Sequence, residues 1–432
     1  MHNLAQATVM NFLNEIAAAF PSAISLAAGR PTDKFFEQLH PDVLLSAMNR
    51  YELHAGAGND GSTARAQFLQ YGRTAGMINE LVAAQLRADE RVPAAAERLL
   101  ITSGCQEALA LCLSALCRDE VDVLLVCNPT YIGATGAAQA MGISVSALAS
   151  SSQDIGLAQR IEQSAVKLQR EGRKARVLYL IPDFDNPTGR VIDEVERKAI
   201  LAVCSRHRIV VLEDNPYGMF RYNGEDLRPM AALDEVGCVI YLSTFSKKLC
   251  PALRVGAASL PETLFGDRSA SNALWEELVQ RKSFLTVNTS QINQAIVGGI
   301  LLEQNGSLRN WIQPALDWYR NNRDTMLNQL HDAFSPLSHQ IRWNRPDGGF
   351  FLSMDLPFRF NIEAVNECAT NYGVIVMPLA FFALDSSQDR RIRLAFSSAD
   401  PVRICKGVAA LSRFVMKRMD DPVRWREGEG HP

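Results

Sequence analysis

The sequence predicts an α/β fold with a mainly parallel sheet covered by helices. Short apolar runs recur from residue 97 onward, and most are bounded by Gly, Pro, Asn or Asp. Their hydrophobicity is continuous rather than alternating, which is typical of strands buried on both faces. The segments between them follow a strand–loop–helix order. We therefore expect ligands at the carboxyl ends of the strands.

The first predicted element is an amphipathic helix over 8–20, where apolar residues recur at helical spacing. The predicted strands of the main sheet are 99–102, 123–127, 143–148, 177–181, 209–212 and 239–242. The predicted helices beyond the first are 106–117, 291–302, 311–334 and 401–417. The C-terminal part looks α+β, with predicted strands at 340–343, 349–354, 374–376 and 391–396.

Length and composition limit the classes of protein. A chain of 432 residues predicts two or three domains, or one large α/β domain plus a satellite. We expect a large domain over 50–305 and a smaller domain built from 1–49 and 306–432. The net charge of −3, without blocks of like charge, argues against nucleic-acid and membrane partners. No run of about 20 apolar residues predicts a membrane span. Nine scattered cysteines without a C-x-x-C pair predict reduced thiols in a cytoplasmic enzyme and no metal site.

The strongest functional signal follows the last strand predicted for the main sheet. Hydroxyls at Thr244 and Ser246 precede Lys247, and Arg254 comes seven residues later. A lysine that forms a Schiff base with an aldehyde must be rigidly held and easily deprotonated. Hydroxyls and a guanidinium suit a phosphate dianion, so the segment predicts a site for pyridoxal phosphate. The alternative is a strand end at which Lys247 and Lys248 face water.

Two further strand ends carry polar side chains. Asn186 begins Asn-Pro-Thr-Gly, a turn-forming tetrapeptide that follows the strand at 177–181. Asp214 ends the next strand, where a carboxylate would keep a pyridine nitrogen protonated and make the ring an electron sink. Tyr217 is a candidate donor to the phenolic oxygen of that ring. The alternative for Asp214 is a helix N-cap.

Three other segments supply candidates. The turn over 103–106 opens a helix after a strand, and its N–H groups and dipole suit the cofactor phosphate, with an ordinary connection as the alternative. Tyr131 is a candidate for stacking on the pyridine ring, with plain packing as the alternative. Arg393, on a predicted strand, suits a substrate carboxylate. Arg391, on the same side of the strand, predicts a surface ion pair.

Residues 56–61 match G-x-G-x-x-G, and Glu80 lies at a distance typical of dinucleotide-binding motifs. The preceding segment 51–54 is polar and predicts no strand, and Glu80 lies in a helical run. The dinucleotide interpretation therefore lacks its structural context. We interpret 51–65 as a long flexible loop.

Three motifs in this order resemble fold-type I pyridoxal-phosphate enzymes, namely class I/II aminotransferases of the 2-aminoadipate/kynurenine and aromatic branch. The motifs are Asn-Pro-Thr-Gly at 186–189, Asp-Asn-Pro-Tyr at 214–217, and Thr-Phe-Ser-Lys at 244–247 with Leu-Arg-Val-Gly at 253–256. The resemblance covers residues 8–415. It implies amino acid and 2-oxo acid substrates and a homodimer with active sites at the subunit interface.

The resemblance also implies a role for each candidate residue. Lys247, Asp214 and Tyr131 would be catalytic, with Lys247 joined to the cofactor and Asp214 bound to the pyridine nitrogen. Arg393 would bind the substrate carboxylate near the backbone of Gly29 and the Asn186 amide. The remaining cofactor contacts would be Asn186, Tyr217, Cys105, Gln106, Thr244, Ser246, Arg254 and, from the neighbouring subunit, Tyr71.

Two residues depart from the family pattern. Cys105 stands where the family has Ser or Ala, a change that keeps the backbone N–H. Arg30 lies in a segment that lines the substrate pocket in relatives, so it would contact a second acidic or phenolic group; the alternative is an ion pair with Asp33 or with another subunit. Four phenylalanines in such segments favour an aromatic or large apolar donor, unless they only pack in the core: Phe284, Phe350, Phe381 and Phe382.

We therefore expect a pyridoxal-phosphate-dependent aminotransferase acting on an aromatic or bulky L-amino acid, or an arylglycine. The acceptor would be a 2-oxo acid such as 2-oxoglutarate or pyruvate. One alternative is elimination or oxidation on the same fold. Another is a regulatory aminotransferase-like ligand-binding protein, but such proteins carry a winged-helix DNA-binding domain before the module, and only 30 residues precede Pro31.

Overall fold

The computed structural model describes residues 16, 18–56, 68–148 and 155–420. The strands in these residues are β1 (Ile24–Ser25), β2 (Leu99–Thr102), β3 (Asp122–Val126), β4 (Ser144–Ala147), β5 (Lys174–Leu180), β6 (Val210–Asp214), β7 (Val239–Thr244), β8 (Gly256–Ser259), β9 (Arg342–Trp343), β10 (Phe351–Asp355), β11 (Val374–Ile375), β12 (Met377–Pro378) and β13 (Arg391–Ala395). The helix predicted over 8–20 lies largely outside the described residues. The loop predicted over 51–65 is wrong at its start, because residues 51–55 belong to a helix, and residues 57–65 lie outside the described residues.

The α-helices in the same part of the chain are α1 (Pro41–Ala55), α2 (Asn79–Glu90), α3 (Cys105–Leu116), α4 (Ile132–Ala140), α5 (Leu157–Arg170), α6 (Glu194–His207), α7 (Met230–Leu233), α8 (Arg268–Leu285), α9 (Gln291–Glu303), α10 (Arg309–Phe334), α11 (Ile362–Tyr372) and α12 (Pro401–Asp420). The four later helices predicted from the sequence correspond to α3, α9, α10 and α12. Glu80 lies in α2, and α1 precedes the G-x-G-x-x-G segment, so the described residues place no strand directly before it.

The central sheet has seven strands among the described residues, in the order β2-β8-β7-β6-β5-β3-β4. Strands β3 to β7 pair in parallel, and β8 runs antiparallel to both of its neighbours. The prediction of a mainly parallel sheet is therefore confirmed. All predicted strands of this sheet are present, whereas β8 was not predicted.

Helices cover both faces of the central sheet. Adjacent residues of a strand point to opposite faces, so Leu124 packs in the cluster that contains Leu109 of α3, and Leu125 packs with Ile161 of α5 and Ile200 of α6. Burial of each such side chain contributes about 1.5–3 kcal/mol. Burial on both faces explains why the strands read as continuous apolar runs.

The parallel strands all end at the same edge of the sheet. The loops that leave this edge follow Thr102, Val126, Leu180, Asp214 and Thr244, the last residues of β2, β3, β5, β6 and β7. The segments that the sequence analysis singled out therefore come together at this edge, as expected for α/β sheets.

Two smaller sheets involve the C-terminal part of the chain. One has the antiparallel order β12-β13-β10-β9, and the other pairs β1 with β11 in parallel. The second sheet joins a segment near the N-terminus to the C-terminal part, which agrees with a small domain built from both. The bounds predicted for the two domains, 50–305 and 1–49 with 306–432, stay a prediction. None of the described helices is long and apolar enough to cross a bilayer.

Candidate active site

A cavity of about 310 Å³ lies at the carboxyl edge of the central sheet. Most of the candidate residues line it: Gly29, Cys105, Gln106, Tyr131, Asn186, Asp214, Tyr217, Thr244, Ser246, Lys247, Arg254 and Arg393. Tyr71 and Arg30 are not among its lining residues. Residues distant in the sequence thus converge on one cavity.

Lys247 faces this cavity. Its Nζ lies 3.4 Å from the carbonyl oxygen of Gly29 and 5.9 Å from the ring centroid of Phe350. Burial lowers the pKa of Lys247 to about 8, and the positive charges of Arg393 and Arg254 act in the same direction, against the carboxylate of Asp214. A lysine with this pKa is partly neutral near physiological pH, as a nucleophile or base requires.

Lys248 points away from the cavity. Its Nζ donates to Glu90 and, at 3.1 Å, to the hydroxyl of Ser243, and its residue is only 6% exposed. Glu90 also accepts a hydrogen bond of 2.6 Å from the Tyr241 hydroxyl. The alternative in which both lysines face water is therefore wrong.

Asp214 carries a buried carboxylate with a donor on each oxygen. The Tyr179 hydroxyl donates to Oδ2 at 2.6 Å, and the Cys105 thiol donates to Oδ1 at 3.2 Å. Burial raises the pKa of Asp214, and these two hydrogen bonds and the Lys247 ammonium oppose the increase. Asp214 ends β6 and begins no described helix, so the N-cap alternative is wrong.

The start of α3 forms a second polar part of the site. Gly104 precedes the helix at a φ of +81°, and no side chain caps the helix N-terminus. Arg254 places Nη2 3.1 Å from the Ser103 carbonyl oxygen and Nη1 3.4 Å from the Ser246 hydroxyl. A Cβ on Gly104 would lie 2.3 Å from Nη2, so this close approach requires glycine. Helix N–H groups, a guanidinium and a hydroxyl together fit a phosphate dianion.

Arg254 itself adopts a left-handed backbone conformation, with a φ of +49°. Such a conformation is costly for a residue with a Cβ, by about 1–3 kcal/mol, and persists where the surroundings enforce it. Arg254 directly follows a short 3-10 helix, Pro251–Leu253, and its left-handed conformation ends that helix.

Tyr131 and Gln106 form one wall of the cavity. The Tyr131 hydroxyl lies 3.4 Å from Oε1 of Gln106, whose Nε2 donates to the Gly133 carbonyl at 2.8 Å. A Cβ on Gly133 would lie 2.3 Å from the Tyr131 ring, so glycine permits this ring position. Burial raises the pKa of Tyr131 to about 12. In the segment that precedes Lys247, the Thr244 hydroxyl accepts a hydrogen bond from the Ser246 N–H at 3.1 Å.

Arg393 is held rigidly in the cavity wall. Nη1 donates to Oδ1 of Asn186 at 2.6 Å, and Nη2 donates to the Ala27 carbonyl at 2.7 Å. The guanidinium lies over the rings of Phe351 and Phe382, with distances of 4.3 and 4.7 Å to the ring centroids. Burial lowers the pKa of Arg393 to about 10. Its buried Nε has no acceptor among the described residues.

Other candidates lie elsewhere. Arg391 forms the ion pair that the sequence predicted, at 2.6 Å from Asp355. Arg30 is exposed, with its guanidinium 3.9 Å from Asp33, as in the alternative stated for it. Tyr71 is 81% exposed in the single chain.

Only some of the phenylalanines that were predicted to line the substrate pocket do line the cavity. Phe382 lines the cavity, but Phe350 is fully buried and packs against Tyr217, with 5.3 Å between ring centroids. Its neighbour Phe351 lines the cavity instead, so the core-packing alternative is correct for Phe350. Phe284 is 80% exposed and does not line the cavity.

No sequence pattern marked Tyr179, the donor to Asp214, as a residue of the site. It lies within an apolar run of β5, where a tyrosine looks like ordinary core. The available signal was that a fully buried tyrosine hydroxyl requires a hydrogen-bond partner. Its partner, however, comes from another strand and only the fold brings the two together.

Comparisons with known proteins agree with this geometry. Residues 23–411 match the family "Aminotransferase class I and II". The chain is 35% identical over 419 residues to the (S)-3,5-dihydroxyphenylglycine transaminase of Amycolatopsis orientalis, covering 96% of this chain and 92% of that protein. It is 29% identical to aromatic-amino-acid aminotransferase 1 of Thermococcus litoralis, over 92% of this chain and 88% of that protein. A solved structure of Pyrococcus horikoshii kynurenine aminotransferase superimposes with a TM-score of 0.80 at 26% identity, covering 95% of this chain and 94% of that one.

The fold is that of a fold-type I pyridoxal-phosphate enzyme. The chain belongs to the class I and II aminotransferases. It is therefore an enzyme that transfers amino groups between amino acids and 2-oxo acids with pyridoxal phosphate as cofactor. These relatives do not favour the elimination, oxidation or regulatory alternatives.

Proposed function

We propose that this aminotransferase takes the amino group of an aromatic or bulky L-amino acid, or of an arylglycine. A 2-oxo acid such as 2-oxoglutarate or pyruvate would accept it. The observation that carries the proposal is that Lys247 and Arg393 line one cavity, with Phe351 and Phe382 flanking the guanidinium. A reactive amine and a carboxylate-binding group thus share a cavity with aromatic walls.

The cofactor would be held by groups at both ends of this cavity. The start of α3 at Cys105 and Gln106, with Ser246 and Arg254, fits its phosphate. Asp214 fits its pyridine nitrogen. Further contacts would come from Tyr131, Asn186, Tyr217 and Thr244. When bound, pyridoxal phosphate supplies an aldehyde that takes up the amino group and a ring that accepts electron density.

Lys247 would anchor the cofactor until the amino group of the substrate takes its place and releases Nζ as a free amine. As a neutral amine, Nζ would then take the proton from the α-carbon of the substrate and hold it for return to the other carbon of the C–N bond. The pKa of about 8 supports this role, because a general base works best with a pKa near the operating pH. The Asp214 carboxylate would balance positive charge on the pyridine nitrogen.

Arg393 would bind and orient the substrate carboxylate. Its Nη groups are fixed by Asn186 and Ala27, which limits the directions from which a carboxylate can approach. Gly29 allows this arrangement, since a Cβ there would lie 1.9 Å from the Phe351 ring. An aromatic donor is supported by the two phenylalanines and by the names of the Amycolatopsis and Thermococcus relatives. Arg30 would contact a second polar group of the substrate only if its side chain leaves Asp33.

We also propose a homodimer in which Tyr71 completes the neighbouring active site. Four apolar side chains, Leu69, Tyr71, Phe284 and Leu285, are each at least 67% exposed in the single chain. Gly72 lies against the side chain of Gln291, at the start of α9. Large apolar side chains that are exposed in this way favour a protein–protein contact. A cytoplasmic location is supported by cysteines that are all free thiols among the described residues.

The test is a substrate panel with purified holoenzyme. Aromatic amino acids, phenylglycines, aliphatic and acidic amino acids are each offered with 2-oxoglutarate or pyruvate, and the amino-acid and oxo-acid products are quantified. We expect the highest kcat/KM for an aromatic donor. A clear preference for small or acidic donors would contradict the substrate class, and release of ammonia or hydrogen peroxide without transfer would contradict the reaction.

A further inference from the structure

A buried ion pair lies beneath the turn that opens α3. Lys282, on α8, donates from Nζ to Oε2 of Glu107 at 2.9 Å, and the two side chains are 0% and 10% exposed. The Thr286 hydroxyl donates to the other carboxylate oxygen at 2.6 Å and accepts from Lys282 at 3.0 Å. Nothing in the function described so far uses these residues.

The ion pair is connected to the proposed phosphate site through a single residue, Ser103. Oε2 of Glu107 accepts a 2.6 Å hydrogen bond from the Ser103 N–H. The carbonyl of the same residue, Ser103, accepts from Nη2 of Arg254 at 3.1 Å. Glu107 therefore fixes one side of the Ser103 residue while Arg254 binds the other. The position of the guanidinium depends on the position of this turn.

The charge of Glu107 requires compensation at this place. A carboxylate in the first turn of a helix is favourable on its own, but it repels a phosphate dianion bound at the same N-terminus. The burial of the Glu107 side chain, which is 10% exposed, strengthens this repulsion because less water screens its charge. Lys282 removes most of this repulsion while Glu107 keeps its hydrogen bond to Ser103. A buried pair of this kind contributes little net stability, so positioning is the better explanation for it.

We propose that Lys282 and Glu107 are positioning residues for the phosphate of the cofactor. Glu107 holds the Ser103 turn in the conformation that presents Arg254 and the N–H groups of α3. Lys282 neutralises Glu107 so that a dianion can bind beside it. This inference rests on the proposed placement of the phosphate at the start of α3.

The test compares three variants as apoenzymes: Lys282→Met, Glu107→Gln and the double variant. The dissociation constant of pyridoxal phosphate is measured by absorbance or fluorescence titration, and the free energy of unfolding is measured in parallel. Both single variants should lose stability, since each leaves a buried charge unpaired. The dissociation constant should rise by about tenfold in Lys282→Met only, because an uncompensated carboxylate then faces the phosphate.

The other two variants test whether the uncompensated charge of Glu107 is what weakens cofactor binding. Glu107→Gln keeps an acceptor for Ser103 and leaves a positive charge, so its cofactor affinity should equal or exceed that of the wild type. The double variant should return to within about threefold of the wild type, since neither charge remains. Equal losses of affinity in both single variants, in proportion to their losses of stability, would overturn the proposal. If Lys282→Met does not fold, Glu107→Gln against the wild type still tests the charge balance, because a loss of cofactor affinity in Glu107→Gln would overturn the proposal.

Two controls separate this inference from the proposed function. Arg281→Met breaks the 2.6 Å ion pair with Glu277 on the same helix, away from Ser103, and should leave cofactor affinity unchanged. Arg254→Met should weaken cofactor binding. If it does not, the proposed phosphate site is wrong, and the inference fails with it. If Arg254→Met weakens binding and Lys282→Met does not, only the positioning role of the ion pair is overturned.

Discussion

The Tyr179 hydroxyl donates a 2.6 Å hydrogen bond to Oδ2 of Asp214, and both residues are at most 5% exposed. Tyr179 lies on β5 and Asp214 at the end of β6, the adjacent strand of the sheet. The bond stabilises the ionised carboxyl group, which burial disfavours. The electrostatic state of the cofactor site therefore depends on a tyrosine in the apolar core.

The variant Tyr179→Phe should raise the pKa of Asp214, because it removes a donor to the carboxylate. A hydrogen bond to a charged group contributes about 1.5–3 kcal/mol, so we expect kcat to fall by roughly tenfold or more. The loss should be larger at low pH, where a carboxyl group with a higher pKa is protonated. The measurements are kcat and cofactor affinity as functions of pH.

Tyr241→Phe is the matched control for this prediction. Tyr241 is also fully buried in the central sheet and donates a 2.6 Å hydrogen bond to a carboxylate, that of Glu90. Its loss should lower stability without changing the pH dependence of kcat. The same pH profile in both variants would show that Tyr179 acts through stability alone.

Lys247→Met should change the pH dependence of stability in the cofactor-free protein. The pKa of Lys247 is lowered from 10.5 to about 8 in the folded state. The folded protein therefore binds fewer protons than the unfolded chain between these values, and wild-type stability rises with pH in that window. The variant should be more stable than the wild type below pH 8, and this advantage should disappear as the pH approaches 10.5. Chemical denaturation at several pH values measures it.

Lys248→Met is the control for the preceding variant. It removes the partner of buried Glu90, so it should destabilise the protein at neutral pH by about 3–5 kcal/mol.

With cofactor, borohydride reduction should trap an adduct on the peptide that contains Lys247, and Lys247→Met should yield neither adduct nor turnover. An adduct on Lys248 would refute the assignment of Lys247.

Arg393→Leu should raise KM for the amino acid donor. Loss of charge-assisted hydrogen bonds to a carboxylate costs about 1.5–3 kcal/mol, which corresponds to roughly 10- to 150-fold. Arg391→Leu, two residues earlier on the same strand, should leave KM nearly unchanged because that side chain pairs with Asp355. Steady-state kinetics with the preferred donor compares the two, and equal effects would argue against a role in substrate binding.

Mixing two inactive variants tests the proposed contribution of Tyr71 from the neighbouring subunit. Tyr71→Ala and Lys247→Ala should each impair turnover as homodimers. In a mixed dimer one active site would carry both changes and the other neither, so random mixing should give roughly a quarter of wild-type activity. Subunits are mixed by unfolding and refolding together. If activity stays at the level of the separate variants, Tyr71 does not act across an interface.

Most of the central sheet could be predicted because continuous apolar runs require burial on both faces. The exception is β8, whose sequence from 256 to 259 is Gly-Ala-Ala-Ser. Small residues there reflect a close approach, since a Cβ on Gly256 would lie 2.8 Å from the backbone nitrogen of Cys105. A strand selected for lack of bulk has no hydrophobic signal, so local patterns missed it.

The candidate site could be predicted where polar residues end parallel strands. Asp214 and Lys247 are examples, because the common edge of the sheet brings such residues together. The sequence predicted that Phe350 lines the cavity, but the next residue, Phe351, lines it instead. Adjacent residues point in different directions, and no local feature says which of two phenylalanines faces the cavity.

The amino-acid sequence by itself determined the family of folds, the strand ends that meet and the class of chemistry, since these follow from local hydrophobicity and the spacing of motifs. Its motif assigned the reactive role to Lys247, but it did not decide whether Lys247 and Lys248 both face water. Only the tertiary structure did, because Glu90 at the end of α2 pairs with Lys248 in the core while Lys247 is left facing the cavity. The reason is that a buried charge requires a partner, and that partner comes from a part of the chain far away in sequence.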